Sequence, residues 1–292
     1  MNLSTFLGIL ALLLWSSTIG FSRSISGALG PITTGAVIYT LAGGLATVMS
    51  VWQYRGLRPI LSLPRRYLWG CGVLFVSYIV CLYLAVGFAA DNVQVLVVGL
   101  INYLWPALIL LLAVPILHKH ARPVLLVGIS LALAGVTWAM GGAALTLHDF
   151  TANLPIYTLM LVGAVCWALY TNLNRRWLGE SQVSAVGLFL LASGVVLAVL
   201  RLGVQENTQW SASTAAKVVY MVFGPSWLAY TFWDTGTRRG PIILLTALSY
   251  LTPLFSTAIS IVLLDAPVSP NLWLAALLLV MGAVVCKKGI GE

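Results

Sequence analysis

Apolar residues fill ten long blocks of this chain, at about 3–22, 32–53, 67–88, 92–116, 123–141, 154–174, 183–202, 214–235, 240–264 and 270–287, with short polar connections between them. Each block is near the ~20 residues a helix needs to cross a bilayer core. In lipid a backbone must satisfy its own hydrogen bonds, so blocks of this length predict helices. Barrel strands would alternate over about 10 residues, and no such alternation is present. The pattern predicts an all-α membrane protein of ten transmembrane helices, with no soluble domain between them. No Lys or Arg precedes the first block and no small-x-small cleavage site follows it, so it reads as a retained first helix rather than a signal peptide.

The blocks repeat. Asn102-Tyr103-Leu104-Trp105-Pro106 is answered by Ser249-Tyr250-Leu251-Thr252-Pro253, so Tyr-Leu-x-Pro recurs 147 residues on; at the same offset Pro123 falls on Pro270 and Gly135 on Gly282. Trp15 and Arg23 are likewise answered by Trp167 and Arg175, at a slightly larger offset. The chain therefore divides into two five-helix units, 1–146 and 147–292. Five is odd, so the second unit must insert upside down relative to the first, the inverted-repeat plan of secondary transporters. Gly128, Gly135 and Gly142 recur every seven residues on one face, where small residues let helices approach closely in lipid.

Charge gives the orientation. With the N-terminus cytoplasmic, twelve of the fifteen Lys and Arg residues fall in inside loops, and only Arg23, Arg201 and Lys217 fall outside. That is the positive-inside bias, and it places both termini in the cytoplasm. Hydrophobic residues make up 60% of the chain and charged ones 8%, against about 25% charged in soluble domains. The net charge of +8 is spread over short loops, so nucleic acid is not an expected partner. Cys71, Cys81, Cys166 and Cys286 lie inside apolar blocks, where cysteine is a small buried residue rather than half of a disulfide. His118 and His120 are assigned to the inside and His148 to the outside, so no metal site is expected, nor a cofactor.

Candidate chemistry lies at the middle of the blocks. Pro106 and Pro253 interrupt helices four and nine, where proline removes a donor and crowds the carbonyl four residues earlier. Each is a candidate hinge, as is Gly224-Pro225. The Asn102 amide and Ser249 hydroxyl, with the carbonyls freed nearby, could receive an ammonium group or a water. Shape alone is the plainer reason for a kink. Aromatic residues cluster at mid-block: Trp15, Tyr78, Tyr83, Tyr103, Trp105, Trp138, Trp167, Tyr170, Trp227, Tyr230 and Tyr250. Interfacial anchoring suits Trp52, Tyr54, Tyr67, Trp69, Trp177, Trp210 and Trp273 better. The expected substrate-binding set is Trp15, Tyr78, Tyr83, Asn102, Tyr103, Trp105, Trp167, Tyr230, Ser249 and Tyr250. No Asp, Glu or His falls near the middle of any block; Asp91, Asp149, Asp265, Asp234 and His118 are all at ends. Proton-coupled pumps usually carry such a group in the membrane, so a facilitator or weak coupling is expected. Arg23 and Arg175 read as snorkelling helix-end residues or as carboxylate ligands at a cavity mouth. Glu206 and Lys217 read as loop charges.

The two five-helix units, the paired Tyr-Leu-x-Pro turns and the run Leu263-Leu264-Asp265-Ala266-Pro267-Val268-Ser269 together resemble the drug/metabolite transporter superfamily of EamA type. Asp265 stands where that superfamily usually has Glu. With its aromatic content, the chain is most similar to the aromatic amino-acid exporter branch. The resemblance implies a multi-pass exporter of the bacterial inner membrane, whose partners are a small amino-acid substrate and the lipid bilayer. A single chain is sufficient to enclose a cavity, and rocking of helices three–four and eight–nine against the rest would give alternating access. Other neutral solutes (threonine, cysteine derivatives, drugs) are the alternative cargo. A channel or a structural membrane protein is the alternative class. An enzyme is disfavoured, because no cluster of acids, bases or metal ligands forms on either face.

Overall fold

The computed structural model describes residues 2–90, 92–141, 153–252, 255, 256, 259 and 270–290. Pro253 and all of 260–269, with Asp265, lie outside these, as do Asp91, Gly142, His148 and Asp149. The described residues are helical, joined by short turns, and no strand occurs among them beyond an isolated bridge between Ala121 and Ile290.

The first span is broken. Helix α1 (Leu3–Ser16) and α2 (Thr18–Leu29) meet at a 46° bend. The hydroxyls of Ser16 and Ser17 donate to the carbonyls of Leu12 and Leu14. Such back-bonding competes with the helix ladder and bends it. The span therefore runs on to Leu29, past the expected end at 22. Helix α3 (Pro31–Gln53) and the short α4 (Arg58–Leu61) follow. A π-turn (Arg66–Cys71) leads into α5 (Gly72–Phe88). Helices α6 (Asn92–Asn102) and α7 (Trp105–Ile116) are one expected block, interrupted at Tyr103 and Leu104. Pro106 sits in the first turn of α7, where no intrahelical donor is required. Helix α8 (Val124–Gly141) closes the first half.

In the second half, α9 (Leu154–Leu178) runs past the expected end at 174, and α10 (Val186–Arg201) follows. Helix α11 (Ala212–Met221) continues through a second π-turn (Val222–Leu228), which holds Gly224 and Pro225, into α12 (Ala229–Arg239). Helix α13 (Ile242–Leu248) tightens into a 3-10 turn (Ser249–Leu251), so the second Tyr-Leu-x-Pro stretch is interrupted at its tyrosine as the first is. Helix α14 (Pro270–Gly289) is the last. Among the described residues, three unbroken spans are long and apolar enough to cross a membrane: Pro31–Gln53, Arg66–Phe88 and Leu154–Leu178. The bent first pair makes a fourth.

Packing concentrates in four helix pairs: α3 with α10, α8 with α14, α1 with α12, and α5 with α9. The first two are backbone-close. A Cβ on Gly43 would overlap the backbone of Leu191, and one on Gly194 that of Thr40. Across α8 and α14, a Cβ on Gly128 would lie 2.5 Å from the Cys286 nitrogen, and one on Gly282 2.7 Å from the Gly128 carbonyl. Gly43 is thus a contact residue of this crossing. Gly43→Ala is expected to lower stability by about 1–3 kcal/mol through overpacking, read as a lowered melting temperature in detergent.

Glu206 is not a free loop charge. It is buried, 8% exposed at the side chain, and accepts the backbone N–H groups of Ile32 and Thr33 at 2.8 Å each and the Thr33 hydroxyl at 2.6 Å. Arg201 lies 3.3 Å away. A carboxylate from a distant loop thus caps the N-terminus of α3, where orphan donors and the helix dipole favour negative charge. Glu206→Ala is expected to cost about 1–2 kcal/mol in the same melting assay, with Glu206→Gln recovering part of it.

Candidate functional site

The helix interruptions converge on one cavity of about 130 Å³, room for on the order of ten waters. Eight of the ten residues expected from sequence line it: Trp15, Tyr78, Tyr83, Asn102, Tyr103, Trp105, Trp167 and Tyr230. Ser249 and Tyr250 do not. The Ser249 hydroxyl donates to the Thr246 carbonyl, and Tyr250 packs among Ala107, Ala132 and Leu279. Thr252, one turn position on, reaches the cavity in their place. Trp138 is exposed on the outer surface, while Tyr67, expected at an interface, is buried and accepts the Ala185 N–H at 3.1 Å.

The floor is a stack of rings centred on Trp167, which is 2% exposed. Its centroid lies 4.9 Å from Tyr78, 5.2 Å from Tyr170, 5.7 Å from Trp15 and from Tyr230, 5.9 Å from Phe75 and 6.4 Å from Trp105. Most of these are edge-to-face or tilted, the arrangements aromatic quadrupoles favour. The Trp15 indole donates to the Pro225 carbonyl at 3.0 Å. There the Ala229 N–H reaches back five residues to the Gly224 carbonyl, the wide register of a π-turn. The kink at Gly224-Pro225 thus anchors a floor ring from across the bundle.

The walls above the floor come from the outer turns of α2 (Thr18, Ser22, Arg23, Ser26) and of α5 (Leu82, Tyr83, Val86), and from α6 (Val98, Gly99, Asn102). Sequence reading missed most of the α2 group because hydropathy falls at Ser22-Arg23-Ser24. The polar run is nevertheless helical, and part of it lines a wet cavity. Among the described residues of the lining, the exposed Arg23 is the one that is charged, which makes that end the mouth.

Below the floor, the opposite ends of α9 and α12 are clasped. Asp234 and Arg238 form a 2.8 Å ion pair with side chains 2% and 1% exposed. Asn174 donates to the other Asp234 oxygen at 2.8 Å. Arg238 and Arg239 each donate to the Ser181 carbonyl at 2.7 Å, and Arg175 donates to the carbonyls of Thr237 and Gly240 at 2.6 Å. Helix α12 runs to Arg239, so Asp234 is enclosed within a helix instead of ending one. The sequence placed it near the right end of the bundle but at the wrong depth. Arg23 and Arg175, matched in sequence, have different surroundings: one lines the cavity, the other fastens the far end.

The arrangement is a cavity open at one end, floored by aromatic rings and shut at the other end by a buried ionic clasp. Comparison with known proteins identifies the family. Over 97% of its length the chain is 33% identical to the aromatic amino acid exporter YddG of Escherichia coli (strain K12), covering 96% of that protein. It is 30% identical to the exporter of the same name from Ancylobacter novellus, again over 97% of the chain and 96% of the relative. A crystal structure superposes with a TM-score of 0.78 at 29% identity, covering 97% of this chain and 96% of the other. The family model described as EamA-like transporter family matches residues 2–141 and 154–286. The chain is a multi-pass membrane transporter and belongs to the EamA-like transporter family.

Proposed function

We propose that the protein exports aromatic and other large apolar amino acids across the bacterial inner membrane, by alternating access. The observation that carries this is the cavity itself: a floor of Trp15, Trp105 and Trp167 and, among the described residues, neutral walls with Arg23 the one cation, at the mouth. Aromatic surfaces bind apolar side chains and face an ammonium favourably. A neutral wall suits a net-neutral zwitterion better than a phosphate or a polycation. The relatives named above are aromatic amino acid exporters, which agrees in substrate class.

The architecture proposed with this is ten spans in two inverted units, 1–146 and 147–292, with both termini cytoplasmic. The helix pairs support it. Exchanging the two units leaves α3·α10 and α8·α14 in place and turns the α1·α12 pair into α9·α5, so the set of contacts maps onto itself. With the N-terminus inside, the Arg23 mouth faces outward and the Asp234–Arg238 clasp faces the cytoplasm. Pro106, Pro253 and the Gly224-Pro225 turn are the hinges of the change. Asp234 is held by Arg238 and Asn174 in this state, and no Asp, Glu or His is among the described residues that line the cavity, so weak or absent proton coupling is expected.

The test is uptake of labelled phenylalanine, threonine and glutamate into liposomes carrying the purified protein, with and without a pH gradient. Saturable phenylalanine flux, indifferent to the gradient and well above threonine and glutamate, is the expected result. Threonine preferred over phenylalanine would move the substrate class to small neutral solutes. Flux that does not saturate would make the protein a channel, and flux that requires the gradient would overturn the coupling assignment.

A further inference from the structure

Three buried side-chain oxygens on this cavity have no hydrogen-bond partner: Thr18 Oγ1, Asn102 Oδ1 and Thr252 Oγ1. They come from three different spans. Thr252 is 4% exposed. Two other hydroxyls of the lining are engaged with each other. The Tyr39 and Tyr230 hydroxyls are 3.2 Å apart. An unsatisfied buried polar group costs about 1–3 kcal/mol; Asn102 Oδ1 can only accept and the two threonine hydroxyls can accept as well as donate, so the three can together receive a donor-rich ligand. An ammonium group offers three N–H donors and no acceptor.

The other polar groups lie at a different height. Along the broken first span, Trp15 is in the floor, Thr18 one turn above it, and Ser22, Arg23 and Ser26 above that. From Thr18 to Ser22 the helix rises about 6 Å at 1.5 Å per residue. On the facing span Asn102 likewise stands above Trp105. The cavity therefore has three tiers: rings at the bottom, unpartnered oxygens in the middle, and a guanidinium with serine hydroxyls at the mouth.

Building on the exporter reading above, we infer that these tiers hold the amino acid in one orientation. The side chain lies on the Trp15–Trp105–Trp167 floor. The α-ammonium bonds Thr18, Asn102 and Thr252, and the α-carboxylate turns to Arg23 and Ser22, where an arginine fork matches a carboxylate. The three oxygens are specificity determinants for a free amino group, and Arg23 for a free carboxylate. Acids lacking the amine and amines lacking the carboxylate are poor ligands for separate reasons.

The test is binding of phenylalanine, 3-phenylpropionate and phenethylamine to the protein in lipid nanodiscs, by calorimetry. Wild type is expected to bind phenylalanine at least about tenfold more tightly than either analogue, the loss of one buried polar contact being about 1.4 kcal/mol. Asn102→Leu and Thr252→Val should weaken phenylalanine and phenethylamine about tenfold and leave 3-phenylpropionate unchanged. Thr252→Ser, which keeps the oxygen, should restore wild-type behaviour. Arg23→Gln should weaken phenylalanine and 3-phenylpropionate and spare phenethylamine. If Asn102→Leu fails to fold, Thr18→Val and Thr252→Val carry the same comparison. Equal weakening of all three ligands in each variant would overturn the orientation while leaving the exporter reading intact. A wild type that binds none of the three would overturn both.

Discussion

Liposomes carrying Trp167→Ala are expected to lose saturable phenylalanine flux by about 100-fold, the equivalent of two aromatic contacts of about 1.4 kcal/mol each. Trp167 touches six other rings, so its loss removes a binding surface and lets Trp15, Tyr78 and Trp105 collapse into the gap. The same truncation in a packed core costs about 3–5 kcal/mol of stability. Trp167→Phe separates the two effects. Phenylalanine keeps most of the apolar surface and a ring face, so this variant should melt near wild type and retain flux within about tenfold. If Trp167→Ala folds and still carries phenylalanine at the wild-type rate, the floor is not part of the site.

The second large effect is expected at the clasp. Arg238→Ala leaves Asp234 as an unpaired buried charge and strips a donor from the Gly179 and Ser181 carbonyls. Breaking a buried pair from one side costs about 3–5 kcal/mol, so this variant should melt far below wild type or fail to accumulate. Asp234→Leu with Arg238→Met removes both charges and fills the space. Such exchanges are often neutral or stabilising, so the double variant should fold. What it loses is the tie between α12 and the 179–181 turn. A cysteine placed at Ser181 should then react faster with an impermeant maleimide applied from the cytoplasmic side than the same cysteine in the otherwise unchanged protein. Equal rates would mean that the ion pair stabilises the helix ends without holding the inner end shut.

Much of this was legible in the sequence because lipid leaves a chain few choices. Block length and hydropathy located the helices, and depth within a block separated Trp15, Tyr78, Trp105 and Trp167 from the interfacial tryptophans. What could not be read was local competition for backbone groups. Nothing in the composition of Ser16-Ser17-Thr18 announces that two hydroxyls bond back to Leu12 and Leu14 and turn the helix by 46°. Nor does a hydropathy profile tell a polar run facing a cavity from one leaving the membrane, which is why Ser22, Arg23 and Ser26 were taken as the end of a helix. Ser249 and Tyr250 were assigned to the site by analogy with Asn102 and Tyr103. The two stretches are interrupted alike but their side-chain surroundings differ, and Thr252 lines the cavity where Ser249 and Tyr250 do not. Asp234 was legible as a charge near an end. Its burial depends on Asn174 and Arg238 meeting it from two helices, a coincidence visible only in three dimensions.

The two glycine-lined crossings also divide the molecule in time. Where α3 meets α10 and α8 meets α14, backbone touches backbone, with no rotamers to rearrange at the closest points. These pairs can move only as rigid posts. Motion is left to the segments whose ladders are already interrupted, at Ser17, at Tyr103-Leu104, in the Val222–Leu228 turn and around Ser249–Leu251. Amide hydrogens along the posts should therefore exchange with deuterium only on global unfolding, and those at the interruptions through brief local openings. The molecule then keeps two clocks, a slow one set by the posts and a fast one set by the breaks.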